Sequence, residues 1–225
     1  MMAGRQRPRG ALSAEQVVLG AVAVADRGGL AAVSMRRVGQ ELGVEAMSLY
    51  HHVPGKEALL DGLADWVFAQ IDLPESDDPW RGAMAARAAS ARAALSAHPW
   101  ALGLIESRRS PGPALLRHHD RVLATLRRNG FSVTLAAHAF SAIDSYVQGF
   151  VLTELNLPFG ADESAEDFVA QLADALPADA YPHLVEMITE QVVGRSYAYA
   201  DEFGFGLDLV LDGLELHLAR EVSAG

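Results

Sequence analysis

The stretch Ser34-Met35-Arg36-Arg37-Val38-Gly39-Gln40-Glu41-Leu42-Gly43-Val44-Glu45-Ala46-Met47-Ser48-Leu49-Tyr50-His51-His52 decides how the rest of the chain is read. Ser34 can cap a helix, and Met35, Val38 and Leu42 follow at helical spacing, which predicts a short amphipathic helix from Ser34 to Leu42. Gly43 ends it, because a glycine takes the left-handed conformation without a Cβ penalty and lets the chain turn within a few residues. A second helix is expected from Glu45 to His51, with Leu49 facing inward and Ala46, Met47, Ser48 and His51 outward. Such a helix-turn-helix presents a face small enough to approach base edges and polar enough to read some of them. An ordinary αα-hairpin has the same local pattern, so the flanks decide between the two.

Upstream, Ser13 with Gln16 three residues later forms a capping-box pattern, and Val17, Ala21, Val24 and Ala25 share one helix face up to Gly28-Gly29. The segment from Gly28 to Val33 is expected to be a loop. Downstream, Pro54-Gly55 breaks the chain and Lys56 opens a new helix, where a cation opposes the macrodipole unless an anion lies beside it. Leu30, Val33, Val38, Leu42, Val44, Leu49 and Val53 would form the core of this small head. With these features the chain resembles the TetR family of bacterial transcriptional repressors, whose DNA-binding head ends in Leu-Tyr-x-His-Val followed by a lysine. The pattern is matched at Leu49, Tyr50, His52, Val53 and Lys56, and the resemblance covers residues 12 to 65 closely. It implies that Arg36, Ala46, Met47, Ser48 and His51 face bases while Ser34, Tyr50, His52 and Lys56 hold phosphates, with Arg37 also among the DNA-binding residues.

Composition sets the outer bounds. The chain has 225 residues and 50% hydrophobic content, enough for a small head joined to a larger body. Alanine and leucine abound and β-branched runs are rare, so an all-α fold is expected. There is no cysteine, which excludes disulfides, thiolate metal sites and thiol redox sensing. No apolar run approaches the roughly 20 residues that span a bilayer, and the arginine-rich start lacks the apolar centre of a signal peptide. A cytoplasmic protein without a membrane partner is expected. The net charge of −11 divides unevenly: residues 1 to 56 hold seven basic and four acidic groups, or +3, and the remainder 11 basic and 25 acidic, or −14. An acidic body repels phosphates and leaves the head as the electrostatic footprint.

Residues 1–11, with Arg5, Arg7 and Arg9, have little apolar surface to bury and read as a flexible basic arm that enters a minor groove or simply frays. The helix-turn-helix domain spans 12–55 and a connecting helix 56–73, with Leu59, Leu60, Leu63, Val67 and Ile71 on its buried side. That helix is expected to be the only covalent link between head and body, and a rigid one. The body, 74–225, begins with the turn Pro74 to Asp78 and a helix opening at Pro79-Trp80 whose face carries Ala83, Ala86, Ala89 and Ala93. Breaks at His98-Pro99-Trp100 and Ser110-Pro111-Gly112-Pro113 flank a short helix, Ala101 to Ser107. Helices follow over Ala114 to Asn129, closed by Gly130, over 132–156, Glu166 to Leu176, His183 to Val193 and 201–221, with loops at Leu157 to Ser164 and Ala178 to Pro182.

Asp78-Pro79-Trp80, His98-Pro99-Trp100, Asn129-Gly130-Phe131 and the closing Phe203-Gly204-Phe205-Gly206-Leu207 resemble the inducer-binding, dimerising half of the tetracycline-repressor subgroup. The resemblance implies a homodimer, an operator of double-stranded DNA and a small-molecule effector. The residues give independent support. In the last helix Phe203, Leu207, Val210, Leu214 and Leu218 form one apolar stripe and Phe205, Leu209 and Leu216 another; one covers the body's own core and the second needs a partner. In the 132–156 helix, Ile143, Val147, Phe150 and Val151 lie on one side, and Leu135, Ala139, Ala142, Tyr146 and Gly149 on another where a neighbouring helix can approach, unless the helix is buried throughout. Gly149, Phe205, Leu209 and Leu216 are the candidate interface residues. Polar and aromatic groups within apolar helices give the ligand candidates: Trp100, His138, Phe140, Asp144, Tyr146, Phe150 and Glu154, with Gln148 and Asn156 beside them. An apolar or aromatic effector is expected.

Tetracycline-binding members use an imidazole near the stretch that here reads Leu104-Ile105-Glu106-Ser107, without a histidine, which argues against tetracycline as inducer. His51-His52 and His118-His119 point about 100° apart within each pair, so neither chelates one ion well. No metal or other cofactor is called for, and His118 and His119 are expected at the solvated surface. A Gly-rich phosphate loop, Gly-x-Ser-x-Gly and His-Glu-x-x-His are all missing from the sequence, so an enzyme is not expected. A DNA-organising protein without an inducer is a further alternative, but the body exceeds what dimerisation alone needs.

Overall fold

The computed structural model describes residues 12–75, 77–105, 111–158, 168–169, 176, 179–195 and 197–224. Among them the secondary structure is helical, with no strand, as the composition implies. The arm 1–11, the end of the short helix after Ile105, and most of the expected helix over 166–176 lie outside the described residues. The chain packs as two compact units that meet in sequence at Asn129 and Gly130.

In the first unit, α1 (Ala14–Ala32) opens with the full capping box: Ser13 Oγ accepts from the Gln16 N–H, and Gln16 Oε1 from the Ser13 N–H. The helix breaks at Gly28 and at Gly29, whose φ of 67° only glycine takes without strain, and resumes for one turn before Val33. Then α2 (Met35–Leu42) is capped by Ser34, whose Oγ accepts from the Arg37 N–H at 3.3 Å, and ends at left-handed Gly43. The recognition helix α3 (Ala46–Leu49) is shorter than expected, since Tyr50 to His52 continue only as turns. The Val53 N–H still reaches the Leu49 carbonyl at 2.9 Å, but Pro54 has no N–H to donate to Tyr50, so the helical ladder cannot continue.

The connecting helix α4 (Lys56–Ala69) also stops short of Leu73. Past its end Ile71 is buried and the Asp72 N–H donates to Ser90 Oγ at 2.9 Å, so tertiary contact with α5 (Trp80–Ala97) takes the chain off the helical path. A 3₁₀ turn (Pro99–Ala101) and α6 (Leu102–Ile105) follow, and α7 (Pro113–Arg128) packs along α4 and α5. Asp65 of α4 caps α7, its Oδ1 accepting from the N–H groups of Ala114 at 2.7 Å and Leu115 at 3.0 Å, where a carboxylate also meets the positive end of the helix dipole. Gly112 is required there, because a Cβ would collide with that carboxylate.

The second unit is led by α8 (Val133–Leu155) and α10 (Glu202–Ala224), with α9 (Pro182–Gln191) between them in sequence. Ser132 caps α8 and donates from Oγ to Glu221 near the end of α10 at 2.6 Å, whereas Tyr146 reaches the start of α10, so the two helices run antiparallel. Ile143, Val147, Phe150 and Val151 are buried, as the stripe predicts, along with Phe203, Leu207, Leu211 and Leu214 of α10. Leu135 and Ala139, on the side of α8 that a neighbouring helix is expected to approach, are buried in the single chain. A separate small core joins Val169, Ile188 and Val192 with Phe168, Leu176 and Tyr197.

Candidate nucleic-acid interface and effector site

The head is built so that its polar and apolar faces separate completely at α3. Leu49, Val38, Val33 and Val53 are buried beneath it; Leu30, Leu42 and Val44, expected in the same core, are partly exposed. Gly39 lets the two helices close, since a Cβ at that position would lie 2.9 Å from the Val44 carbonyl oxygen. This glycine was not among the sequence candidates; its spacing of four residues before Gly43 was the available signal. On the outer side Met47 is 73% exposed and Tyr50 45%, with Arg36, Arg37, His51, His52 and Lys56 also exposed and Ser34, Ala46 and Ser48 partly so. Arg27 and Glu41 pair with each other on the head. Lys56 stands at the first position of α4, whose N-cap Gly55 offers no side chain to the free N–H groups. That terminus therefore has donors and a cation free to meet an anion.

The head has a second connection besides α4. The Asp26 carboxylate on α1 accepts from His98 Nδ1 and from Trp100 Nε1, each at 2.7 Å, and Trp66 of α4 meets the His98 ring edge-on at 4.9 Å. α4 remains the only covalent link between head and body, and this contact adds a non-covalent one. It also occupies the one polar atom of Trp100, a candidate ligand residue.

The other ligand candidates lie on α8. His138 is exposed; Phe140, Asp144, Tyr146 and Glu154 are partly buried; Phe150 is buried. Tyr146 and Phe150 sit in an aromatic cluster with Phe203 and Tyr199, Phe150 stacking on Tyr199 at 4.8 Å. Tyr146 Oη donates to the Phe203 carbonyl at 2.8 Å, and Gly206 admits the ring where any Cβ would clash. A cavity of about 730 Å³ opens elsewhere in this unit, lined by residues that include Ile188, Val192, Tyr197, Glu202 and Phe205. Of the sequence-predicted residues only Phe205, an interface candidate, borders it. On α10 the second stripe stands in solvent, Phe205 at 67%, Leu209 at 58% and Leu216 at 62%, and Gly149 of α8 is exposed too.

His118 is not at the surface. It is fully buried between α5 and α7, its Nε2 accepting from Arg87 Nε at 3.0 Å, and Arg87 is itself 2% exposed. Burial first, then the neighbouring charges of Arg87 and His119, lower its pKa to about 3, so the imidazole is neutral at physiological pH. Ala114, His118 and Val122 fall every four residues on the buried side of α7, a signal that was legible in the sequence.

Family comparison agrees with this geometry. Residues 18–63 match the model of bacterial regulatory proteins of the tetR family, and residues 73–218 match the tetracyclin repressor-like C-terminal domain. The chain belongs to the TetR family. Among its TetR relatives is the HTH-type transcriptional repressor DrrR1 of Streptomyces coeruleorubidus, 36% identical over 95% of this chain and 81% of that protein. The class C tetracycline repressor of Escherichia coli is 31% identical over 74% of this chain and 77% of its own length. Apo ActR from Streptomyces coelicolor superposes with a TM-score of 0.77 at 28% identity, covering 95% of this chain and 99% of that one. ActR has also been solved in complex with actinorhodin, and in that form aligns with a TM-score of 0.76 at 28% identity over 92% of this chain and 96% of that one. No described helix is long and apolar enough to cross a membrane.

Proposed function

We propose that this TetR-family chain is a cytoplasmic, non-enzymatic repressor that binds a palindromic operator as a homodimer and releases it when a small apolar or aromatic effector binds the C-terminal domain. The observation that carries the reading is the outer face of α2 and α3: Met47, Tyr50, Arg36 and His51 stand in solvent on a helix pair whose inner face is closed. In this reading Arg36, Ala46, Met47, Ser48 and His51 meet bases; Ser34, Arg37, Tyr50, His52 and Lys56 meet the backbone, and the phosphate at Lys56 completes the uncapped start of α4. Residues 12–55 act as the reading head, 56–73 as the connection and 74–225 as the effector and dimer domain, with 1–11 as a basic arm along the DNA.

The exposed stripe Phe205, Leu209 and Leu216 supports dimerisation, because an apolar row opposite an already buried one on the same helix has no use in a monomer. Its two-fold copy would space the recognition helices about one DNA turn apart, roughly 34–36 Å. The candidate effector contacts are Trp100 in the first unit and, taken separately, Phe140, Tyr146, Phe150, His138, Asp144 and Glu154 on α8 of the second. Release then requires that the effector favour a state in which half-site spacing is lost, and reciprocity requires operator to weaken effector binding by the same factor. The test is a Leu209→Lys/Leu216→Lys variant studied by light scattering and operator binding. A monomer that no longer binds operator is expected; a variant that remains dimeric and binds unchanged overturns the assignment of that face.

A further inference from the structure

The mechanism above leaves a buried polar pair unused, Arg87 and His118. His118 Nε2 accepts the hydrogen bond from Arg87, which fixes the tautomer: the neutral ring carries its proton on Nδ1. That Nδ1 is buried and makes no hydrogen bond within the protein. A buried N–H donor without an acceptor is costly, and an apolar side chain of similar shape would fill the same space on the Ala114–Val122 stripe without that cost. The donor is also a strong one. Arg87, permanently charged and with further contacts of its own, polarises the imidazole through its Nε–H, so that charge is drawn toward Nε2 and the Nδ1 proton becomes more acidic. Such a donor favours an anionic acceptor over a neutral one. The ring it belongs to lies against Phe68 of α4, with centroids 5.3 Å apart, and apart from Arg87, His118 and Thr125 the buried residues of α5 and α7 are apolar, among them Met84, Ala88, Ala91, Ala114 and Val122.

We propose that His118, backed by Arg87, is the recognition point for an anionic oxygen, carboxylate or phenolate, on an otherwise apolar aromatic effector. The inference rests on the effector-responsive reading and specifies the ligand's chemistry. It also specifies how the signal starts. An oxygen can reach Nδ1 only by displacing the side chains packed over it, and Phe68, on the helix that leads to Lys56 and the head, meets that ring from α4, with His119 meeting it from α7 itself. Asp65 on the same helix caps α7, so separating α4 from α7 at Phe68 strains that cap and moves α4 against α1.

The experiment uses the full chain and two matched probe pairs: 2-naphthoate with 2-naphthamide, and anthracene-2-carboxylate with its carboxamide. By calorimetry the carboxylate of at least one pair should bind wild type ten times or more tighter than its amide. In Arg87→Met/His118→Phe that preference should fall below threefold. Because a double core variant can fold differently, nitrogen NMR of the wild-type imidazoles supplies an independent readout: the His118 Nδ1 resonance, assigned by its loss in His118→Asn, should move with the carboxylate and stay with the amide. Failure of every probe to bind, equal binding of acid and amide, or an unmoved Nδ1 resonance overturns the proposal. Operator release separates it from the underlying reading. A neutral ligand that releases operator equally from wild type and double variant sinks the anion site and leaves the repressor intact, whereas a chain that binds the carboxylate through His118 but never binds DNA sinks the repressor alone.

Discussion

Leu49 in the head and His118 in α7 are both fully buried, yet one is surrounded by a core of Val33, Val38 and Val53 while the other shares its burial with a guanidinium. In the head, the fully buried side chains that hold α3 are apolar and its polar groups face outward. In α5 and α7 the arrangement is reversed: Arg87, His118 and Thr125 are the buried polar residues among those described. A surface that must meet phosphates gains from rigid apolar support behind it, since every exposed donor can then be aimed outward. An interior that opens for a ligand, as proposed for α5 and α7, gains from groups whose burial is incompletely satisfied, because the ligand supplies what the fold withholds. The comparison teaches that the head and the interior of α5 and α7 are packed on opposite principles.

The sharpest way to break this contrast is to truncate at both places and compare signs. Leu49→Ala removes the anchor of the recognition helix, and a loss of about 2–5 kcal/mol in stability is expected, with operator binding lost as well. Urea unfolding followed by circular dichroism measures it; a loss below 1 kcal/mol would show that α3 is not held by this core. In the body, Arg87→Met alone takes the donor from His118 Nε2 and should cost about 1–3 kcal/mol, while Arg87→Met/His118→Phe should return close to wild-type stability. A double-mutant cycle isolates that coupling. The same pair gives a pH signature. With a folded pKa of about 3 against 6.5 unfolded, His118 takes up its proton on unfolding, so stability falls as pH drops below 6.5 and levels off near 3. Between pH 7.5 and 5.5 wild type should lose about 1.4 kcal/mol more than the double variant. Equal losses would place His118 in a solvated setting.

The elements that could be read from sequence were those fixed by local chemistry. Ser13 and Ser132 cap helices, Gly43 is left-handed, and the two α10 stripes separate into buried and exposed rows because all of these depend on residues within one turn. Helix ends were less legible where distant contacts set them: α4 yields at Ala69 because Asp72 pairs with Ser90, eighteen residues away. That Leu135 and Ala139 are buried in the single chain was likewise not readable from residues within one turn. His118 was misread because adjacent histidines drew attention as a pair, when the period of four through Ala114 and Val122 already put one of them inside. Of the site, the outer face of α2 and α3 could be named residue by residue, but Asp26 with His98 and Trp100 joins residues more than seventy positions apart and had no local signal.

The claim on which the account turns is that the exposed face of α2 and α3 reads DNA sequence, and Arg36 tests it most directly. Wild type and Arg36→Ala would be titrated by fluorescence anisotropy against a palindromic duplex selected by the protein from a random library, against its single-base variants, and against a scrambled duplex. Two chains per selected duplex are expected for wild type. For Arg36→Ala the expected result is a loss of about 1–3 kcal/mol confined to one symmetric base position, with other bases now tolerated there and unfolding within about 0.5 kcal/mol of wild type. An equal loss on selected and scrambled duplexes, or no preference between them in wild type, would contradict the account.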